Sequence, residues 1–298
     1  MLGATLLLHA ALPIAAQTNV AGTNLSPATI PFEFTRGHIM VAARVNGSPP
    51  LSFMLDTGYS LTMLNPEHVE PLNLKPVGKV TIVGIVGEED ANLFAGATFD
   101  LTGATYAPRR IASLPSDRGK RKRDGILGSG FFKRFVVEID PRAKTIQLHE
   151  PKSFAYSGPG EILALQFRKD TPIVEALINV PGRPAIRGLF EVDSGCDDGL
   201  CCGHDFVVEH RLDEFAGPTQ GGARQGVGGG TRIQHGHLPQ LQLGRLTIKK
   251  PSANFFQLGS PADRGLAGHI GIEVLRQFKV IFDYSRQRLI LEPFPAAK

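Results

Sequence analysis

The apolar positions of this chain fall in short runs separated by Asn-Gly, Pro-Gly and Gly-Gly steps. Such runs suit a pleated surface and such steps bend sharply, so the pattern predicts many strands joined by turns rather than long helices. Residues 38–45 read as a strand, Asn46-Gly47-Ser48-Pro49-Pro50 as a hairpin turn and residues 51–56 as the return strand. After a polar, proline-bearing segment, residues 80–88 form an apolar hairpin candidate whose glycines loosen its tip. Residues 93–99 and 105–114 supply further strands. The unit closes with Gly125-Ile126-Leu127-Gly128, a short apolar-aromatic stretch of helical character, and strands at 135–140 and 145–151 about a turn at Pro141-Arg142.

The same order then returns. Residues 172–180 and 185–193 are strands about the turn Pro181-Gly182-Arg183-Pro184, and a glycine-rich stretch at 221–230 stands where the first half has its apolar hairpin. Strands at 238–243 and 246–249 follow, then Gly268-His269-Ile270-Gly271 and strands at 278–283 and 288–293. Gly125 and Gly268, Gly128 and Gly271, Phe135 and Phe278, and Asp140 and Asp283 are each separated by 143 residues. This is an internal duplication, and two copies of one β unit pair most simply about a pseudo-two-fold axis.

Within the repeat, two stretches carry chemistry: Leu55-Asp56-Thr57-Gly58 and Val192-Asp193-Ser194-Gly195, each delivering an aspartate from an apolar strand into a tight turn. Chance supplies on the order of 0.1 to 0.3 Asp-(Thr/Ser)-Gly tripeptides in a chain of this size, so two at matched places are not incidental. The axis predicted by the repeat sets Asp56 and Asp193 face to face. Carboxyls held so close cannot both ionise cheaply, so one proton is shared between them. One member can then act as base towards a water while the other donates to a carbonyl oxygen.

Composition leaves this picture intact. The chain has 298 residues, 42% hydrophobic and 20% charged, with 34 Gly and 22 Pro, enough for two compact lobes. A net charge of +4 is dispersed except for Arg118-Gly119-Lys120-Arg121-Lys122-Arg123, and with no tryptophan and no aromatic platform beside it that run reads as a solvated loop rather than a nucleic-acid site. The glycine-rich stretch lacks a Gly-Lys-Ser/Thr and a following helix, which excludes a phosphate loop. Residues 1–16, apolar, short and ending in small residues, resemble a secretory signal, although no Lys or Arg precedes the apolar run. The expected location is therefore periplasmic or secreted, with no membrane span in the remainder. Cys196, Cys201 and Cys202 are the only cysteines; in an exported chain Cys196 could close a local disulfide with Cys201 or Cys202. Their spacing to His204 matches no usual zinc pattern, and His235-Gly236-His237 lacks a third ligand, so no metal is expected.

On the paired Asp-Thr-Gly and Asp-Ser-Gly motifs, and on Ile126-Leu127-Gly128 behind the first of them, the sequence resembles the aspartic proteases of the pepsin and retropepsin superfamily, in the retropepsin-like form found in bacteria with both lobes in one chain. The resemblance runs over about residues 31–295. It implies an all-β, bilobal acid-protease fold of two pseudo-two-fold-related β-barrel-like lobes, at 30–152 and 160–296. It implies Asp56 and Asp193 as the catalytic pair of an endopeptidase, Thr57 and Ser194 as hydroxyls binding the lobes together, and Gly58 and Gly195 as the close backbone positions. Gly84, Ile85, Val86 and Gly87 would form a flap over an extended polypeptide, and Gly226, Val227 and Gly228 a second flap or a loop in its place. No cofactor is implied, and a duplicated chain can act as a monomer. Three departures stand out: His269 replaces an apolar residue, Tyr59 and Cys196 follow the two glycines, and the first flap has no tyrosine. The rival reading is a peptide-binding or inhibitory protein on the same fold without turnover.

Overall fold

The structure, a computed structural model, describes residues 27–84, 87–114, 123–227, 229–258 and 265–295. The expected signal at 1–16, most of the basic run, and the flap residues Ile85, Val86 and Gly228 lie outside the described residues.

Each half builds one ten-stranded sheet, and the two sheets have the same strand order. In the first half the path runs Lys75–Val83, Glu88–Ala95, Ile111–Ser113, Met63–Leu64, Gly125–Leu127, Leu51–Leu55, His38–Val45, Phe99–Leu101, Ala104–Tyr106. In the second it runs Gln220–Gly226, Gly229–His237, Ser252–Phe256, Leu200–Cys202, Gly268–Ile270, Ile186–Val192, Thr171–Asn179, Gln240–Leu243, Leu246–Lys249. A short strand off each path, Glu33–Thr35 or Gln166–Arg168, pairs with the seventh member. The duplication read from sequence is thus a duplication of topology, strand for strand.

Alternation explains the strands locally. In His38–Val45 the buried positions are Ile39, Val41, Ala43 and Val45, the period of two that puts one face on a core. Strand ends follow backbone chemistry: the run expected at 93–99 stops at Ala95 because Gly96 adopts φ +90°, and a separate strand begins at Phe99. Likewise 105–114 divides into Ala104–Tyr106 and Ile111–Ser113. The helix expected after Gly128 is Ser129–Arg134, matched in the second half by Ile272–Leu275. The strand Leu200–Cys202 and the helix His204–His210 were not legible from periodicity, since a three-residue buried strand has no alternation to read.

A six-stranded antiparallel sheet joins the halves in the order Ala28–Pro31, Thr145–His149, Val136–Asp140, Phe278–Asp283, Arg288–Pro293, Glu161–Ala164. At its centre Glu138 faces Ile281, flanked by Val137 opposite Phe282 and Ile139 opposite Val280. Glu138 and Ile281 are themselves equivalent under the 143-residue offset, so the pseudo-two-fold axis passes through that pair. Phe282, fully buried, packs edge-on against Phe132 at 5.2 Å and thereby ties this sheet to the helix of the first half. Phe282→Ala is expected to cost about 3–5 kcal/mol, read as a lower urea midpoint; a loss under 1 kcal/mol would show that the joining sheet is not held by this contact.

Candidate active site

The two aspartates are delivered by equivalent devices. Leu51–Leu55 runs parallel to Gly125–Leu127, and Ile186–Val192 parallel to Gly268–Ile270. At the end of each pair the aspartate N–H donates to the neighbouring strand, Asp56 to Leu127 O at 3.1 Å and Asp193 to Ile270 O at 2.9 Å. Parallel pairing with a buried strand leaves each carboxylate fixed at the sheet end, facing the other half.

Thr57 and Ser194 lock the two turns together reciprocally. The Thr57 N–H donates to Ser194 Oγ at 3.1 Å and the Ser194 N–H to Thr57 Oγ1 at 2.9 Å. Thr57 Oγ1 donates to Val192 O at 2.6 Å, and Ser194 Oγ to Leu55 O at 3.0 Å. Both side chains are completely buried, and these four hydrogen bonds satisfy both hydroxyls and both N–H groups at the lobe boundary. Within each turn the glycine N–H donates to its own aspartate, Gly58 to Asp56 Oδ1 at 2.9 Å and Gly195 to Asp193 Oδ1 at 2.8 Å. Across the boundary each glycine abuts the opposite aspartate: a Cβ on Gly58 would come 2.9 Å from Asp193 Cγ, and one on Gly195 would run into the Asp56 carboxyl. Only glycine fits either place.

Asp56 and Asp193 face each other across the lobe boundary, each carboxyl against the glycine of the opposite turn, close enough for each to act on the other's ionisation. Burial, reinforced by the charge of Asp193, pushes the Asp56 carboxyl well above the usual range, against an opposing pull from the Gly58 N–H and Arg123. Burial acts on Asp193 in the same direction, but the neighbouring His269 imidazole, the Gly195 N–H and the Asp56 carboxyl together outweigh it and hold Asp193 below the usual range. The two carboxyls are thus shifted in opposite directions, Asp56 up and Asp193 down.

His269 and its cross-strand partner Glu191 are the site residues that motif reading missed as a pair. A signal for them did exist: the repeat sets Glu191 against Met54 and His269 against Ile126, two polar residues at two adjacent apolar places. All three cysteines are free. Cys196 Sγ lies 3.5 Å from Cys201 Sγ, while Cys202, next along the strand, faces the main core. Contact with Cys201, burial and neighbouring carboxylates push the Cys196 thiol well above its usual range. Asp198 lies beside this pair, but its carboxylate is engaged in two hydrogen bonds by Arg224, one of 2.7 Å from Nε, so the group packs as a hydrogen-bonded cluster.

Over the pair hang two hairpins. Lys75–Val83 with Glu88–Ala95 forms one, Gln220–Gly226 with Gly229–His237 the other, so the glycine-rich stretch is a second hairpin rather than an irregular loop. Their tips meet: Gly84 packs so closely on the Val227 carbonyl that no side chain could be added there. Arg224, on the second hairpin, ties it to Asp198 on the loop behind Asp193. Between hairpins and dyad lies a cleft of about 820 Å³ lined by Asp56, Asp193, Tyr59, Ile82, Val227 and His269.

Two homologous half-sheets, each bringing one aspartate to a common axis, make the bilobal architecture of the aspartic proteinases. Comparison with known proteins agrees: residues 41–131 match the family model described as Aspartyl protease. The fold is similar to that of the aspartic proteinase from Irpex lacteus, with a TM-score of 0.59 and 15% identity, over 90% of this chain and 97% of that one. No curated protein matches the sequence.

Two outcomes test the site. Thr57→Val removes one donor and one acceptor at the lobe boundary, leaving the Ser194 N–H and Val192 O buried without that partner; it is expected to cost about 2–5 kcal/mol in thermal unfolding, and Thr57→Ser to recover most of it. Because Asp56 binds its proton more tightly folded than unfolded, stability falls as pH rises from the ordinary carboxylate range, about 4, towards the folded-state value. Asp56→Asn is therefore expected to raise the melting temperature at neutral pH and to gain nothing at pH values below that range; equal gains at both would contradict the buried-proton assignment.

Proposed function

We propose that the chain is an aspartic endopeptidase that hydrolyses peptide bonds of an extended polypeptide. The observation that carries this reading is the facing pair of carboxyls, one shifted above and one below the usual range, at the floor of a cleft covered by two hairpins. A water held between them gives a proton to the ionised Asp193 as its oxygen attacks the peptide carbonyl carbon. Protonated Asp56 donates to the carbonyl oxygen at the same time, so the tetrahedral intermediate forms without charge separation. Its collapse breaks the C–N bond as the amine takes up the proton carried by Asp193, and Asp56 recovers its own. No covalent enzyme intermediate and no cofactor is needed.

A polypeptide fits the cleft because the hairpins offer backbone edges to an extended chain, with alternate side chains falling into opposite pockets. One chain supplies both carboxyls, so turnover requires no second copy. Tip-to-tip contact of the hairpins means that substrate entry requires them to part, as flaps do.

Incubation of the purified protein with denatured casein across acid to neutral pH tests the reading, alongside Asp56→Asn and Asp193→Asn. Each substitution is expected to lower kcat by about 10²–10⁴-fold or more. Activity should span a broad bell, beginning below the ordinary carboxylate range where Asp193 ionises and ending well above it where Asp56 does. Cleavage that persists in either variant would eliminate the mechanism, and casein bound but uncut at every pH would favour the non-catalytic peptide binder.

A further inference from the structure

Beside Asp56 the floor of the first half is apolar. Met54 and Ile126 are register partners on adjacent strands, Met63 faces Ile126 from the other side, and all three are buried in one cluster. In the second half the same three places hold Glu191, His269 and Cys201: Glu191 opposite His269, and His269 opposite Cys201. Glu191 is 8% and His269 4% exposed. Putting a carboxyl and an imidazole where a methionine and an isoleucine pack in the sister half costs several kcal/mol unless the groups serve each other or a neighbour.

That neighbour is Asp193. His269 Nδ1 lies 3.8 Å from Asp193 Oδ2, and one polar atom from each of Glu191, Asp193 and His269 falls within 4.8 Å of the others. Glu191 Oε1 and Asp193 Oδ1 both lie 2.9 Å from the point a Gly58 Cβ would occupy, so Glu191 stands beside the dyad as a third carboxyl. Alone, that carboxyl would repel a charge on Asp193 and favour protonation there. An imidazole shared by the two reverses the balance.

We propose that His269, with Glu191 as its cross-strand partner, is a positioning residue that makes the dyad directional: it keeps the negative charge on Asp193 and leaves the shared proton on Asp56. The two halves then have fixed roles, the second taking the proton of the water and the first donating to the carbonyl oxygen. The groups facing His269 are Glu191 from the preceding parallel strand, Cys201 from the antiparallel one and Asp193 from the turn, with Asp56 beyond Asp193 across the lobe boundary. Cys196 flanks Asp193 on the adjoining loop, and Tyr284 beneath the site feels Glu191, Asp56 and Asp193. Arg123 acts on Asp56 from the opposite side. The field of these groups on Asp193 is thus mostly anionic, with His269 as its counterweight.

The proposal rests on the peptidase reading for its consequence in turnover, yet its physical core can be measured without turnover. Carbon-13 NMR of protein labelled at the aspartate carboxyl carbon, with Asp56→Asn and Asp193→Asn for assignment, follows each titration in the wild type, in His269→Ile, and in Glu191→Met/His269→Ile. The double variant writes in the pair that already packs in the first half, which guards against a variant that merely fails to fold. His269→Ile is expected to raise the Asp193 midpoint by about 1–3 pH units and to move the acid limb of kcat/KM for casein by the same amount, with KM little changed. The double variant should also leave Asp193 above its wild-type midpoint, by less, because the third carboxyl is gone with the imidazole. An Asp193 midpoint unchanged in both variants overturns the assignment. Shifted midpoints in a wild-type background that never cleaves casein would instead retire the peptidase reading and leave the role of His269 standing.

Discussion

Two carboxyl groups face each other on a common axis, Asp56 buried and Asp193 partly so, and cannot both be charged cheaply; nearly everything around them manages that constraint. Burial pushes the Asp56 carboxyl up, while on Asp193 it is offset by an imidazole and by the Gly195 N–H. Holding the groups close enough to share a proton requires that the lobes cannot drift. The Thr57 and Ser194 cross-bonds fix them, since each hydroxyl both accepts from the opposite turn and donates to the opposite strand. Breaking one leaves a polar group stranded in a dry boundary, so the lock is enforced as much by the penalty of opening as by the bonds themselves.

Symmetry supplies this arrangement at the level of the backbone and then gives way at the level of side chains. The two sheets share their strand order, and the joining sheet places the axis through Glu138 and Ile281. Around the dyad the halves diverge: an apolar floor of Met54, Met63 and Ile126 on one side, Glu191, Cys201 and His269 on the other. A symmetric pair of carboxyls has no preferred member. Asymmetry in the surrounding field is what separates the ionisation of one carboxyl from that of the other.

The hairpins diverge in the same way. The first is built on Val80 and Ile82 packing over the apolar floor, whereas the second is glycine-rich and held by the Arg224–Asp198 pair. Gly84 and Val227 bring the two hairpins together over the cleft, and Val227 also packs against the apolar floor of the first half.

The sequence alone determined the β class, the duplication and the two aspartates, because each leaves a local trace: alternation, a constant offset, and a strand that ends in Asp-Thr/Ser-Gly. It also located the helix after Gly128 and the hairpin at Gly84 to within a few residues. It could not reveal Leu200–Cys202 as a strand, since its burial comes from neighbours on both sides and not from any period of its own. Nor could it assign the proton. That depends on Glu191 and His269, 78 positions apart in the chain, meeting as partners on parallel strands beside Asp193. Electrostatic influence falls off with distance through space, whereas sequence records distance along the chain, so only folding decides which charge a buried carboxyl feels.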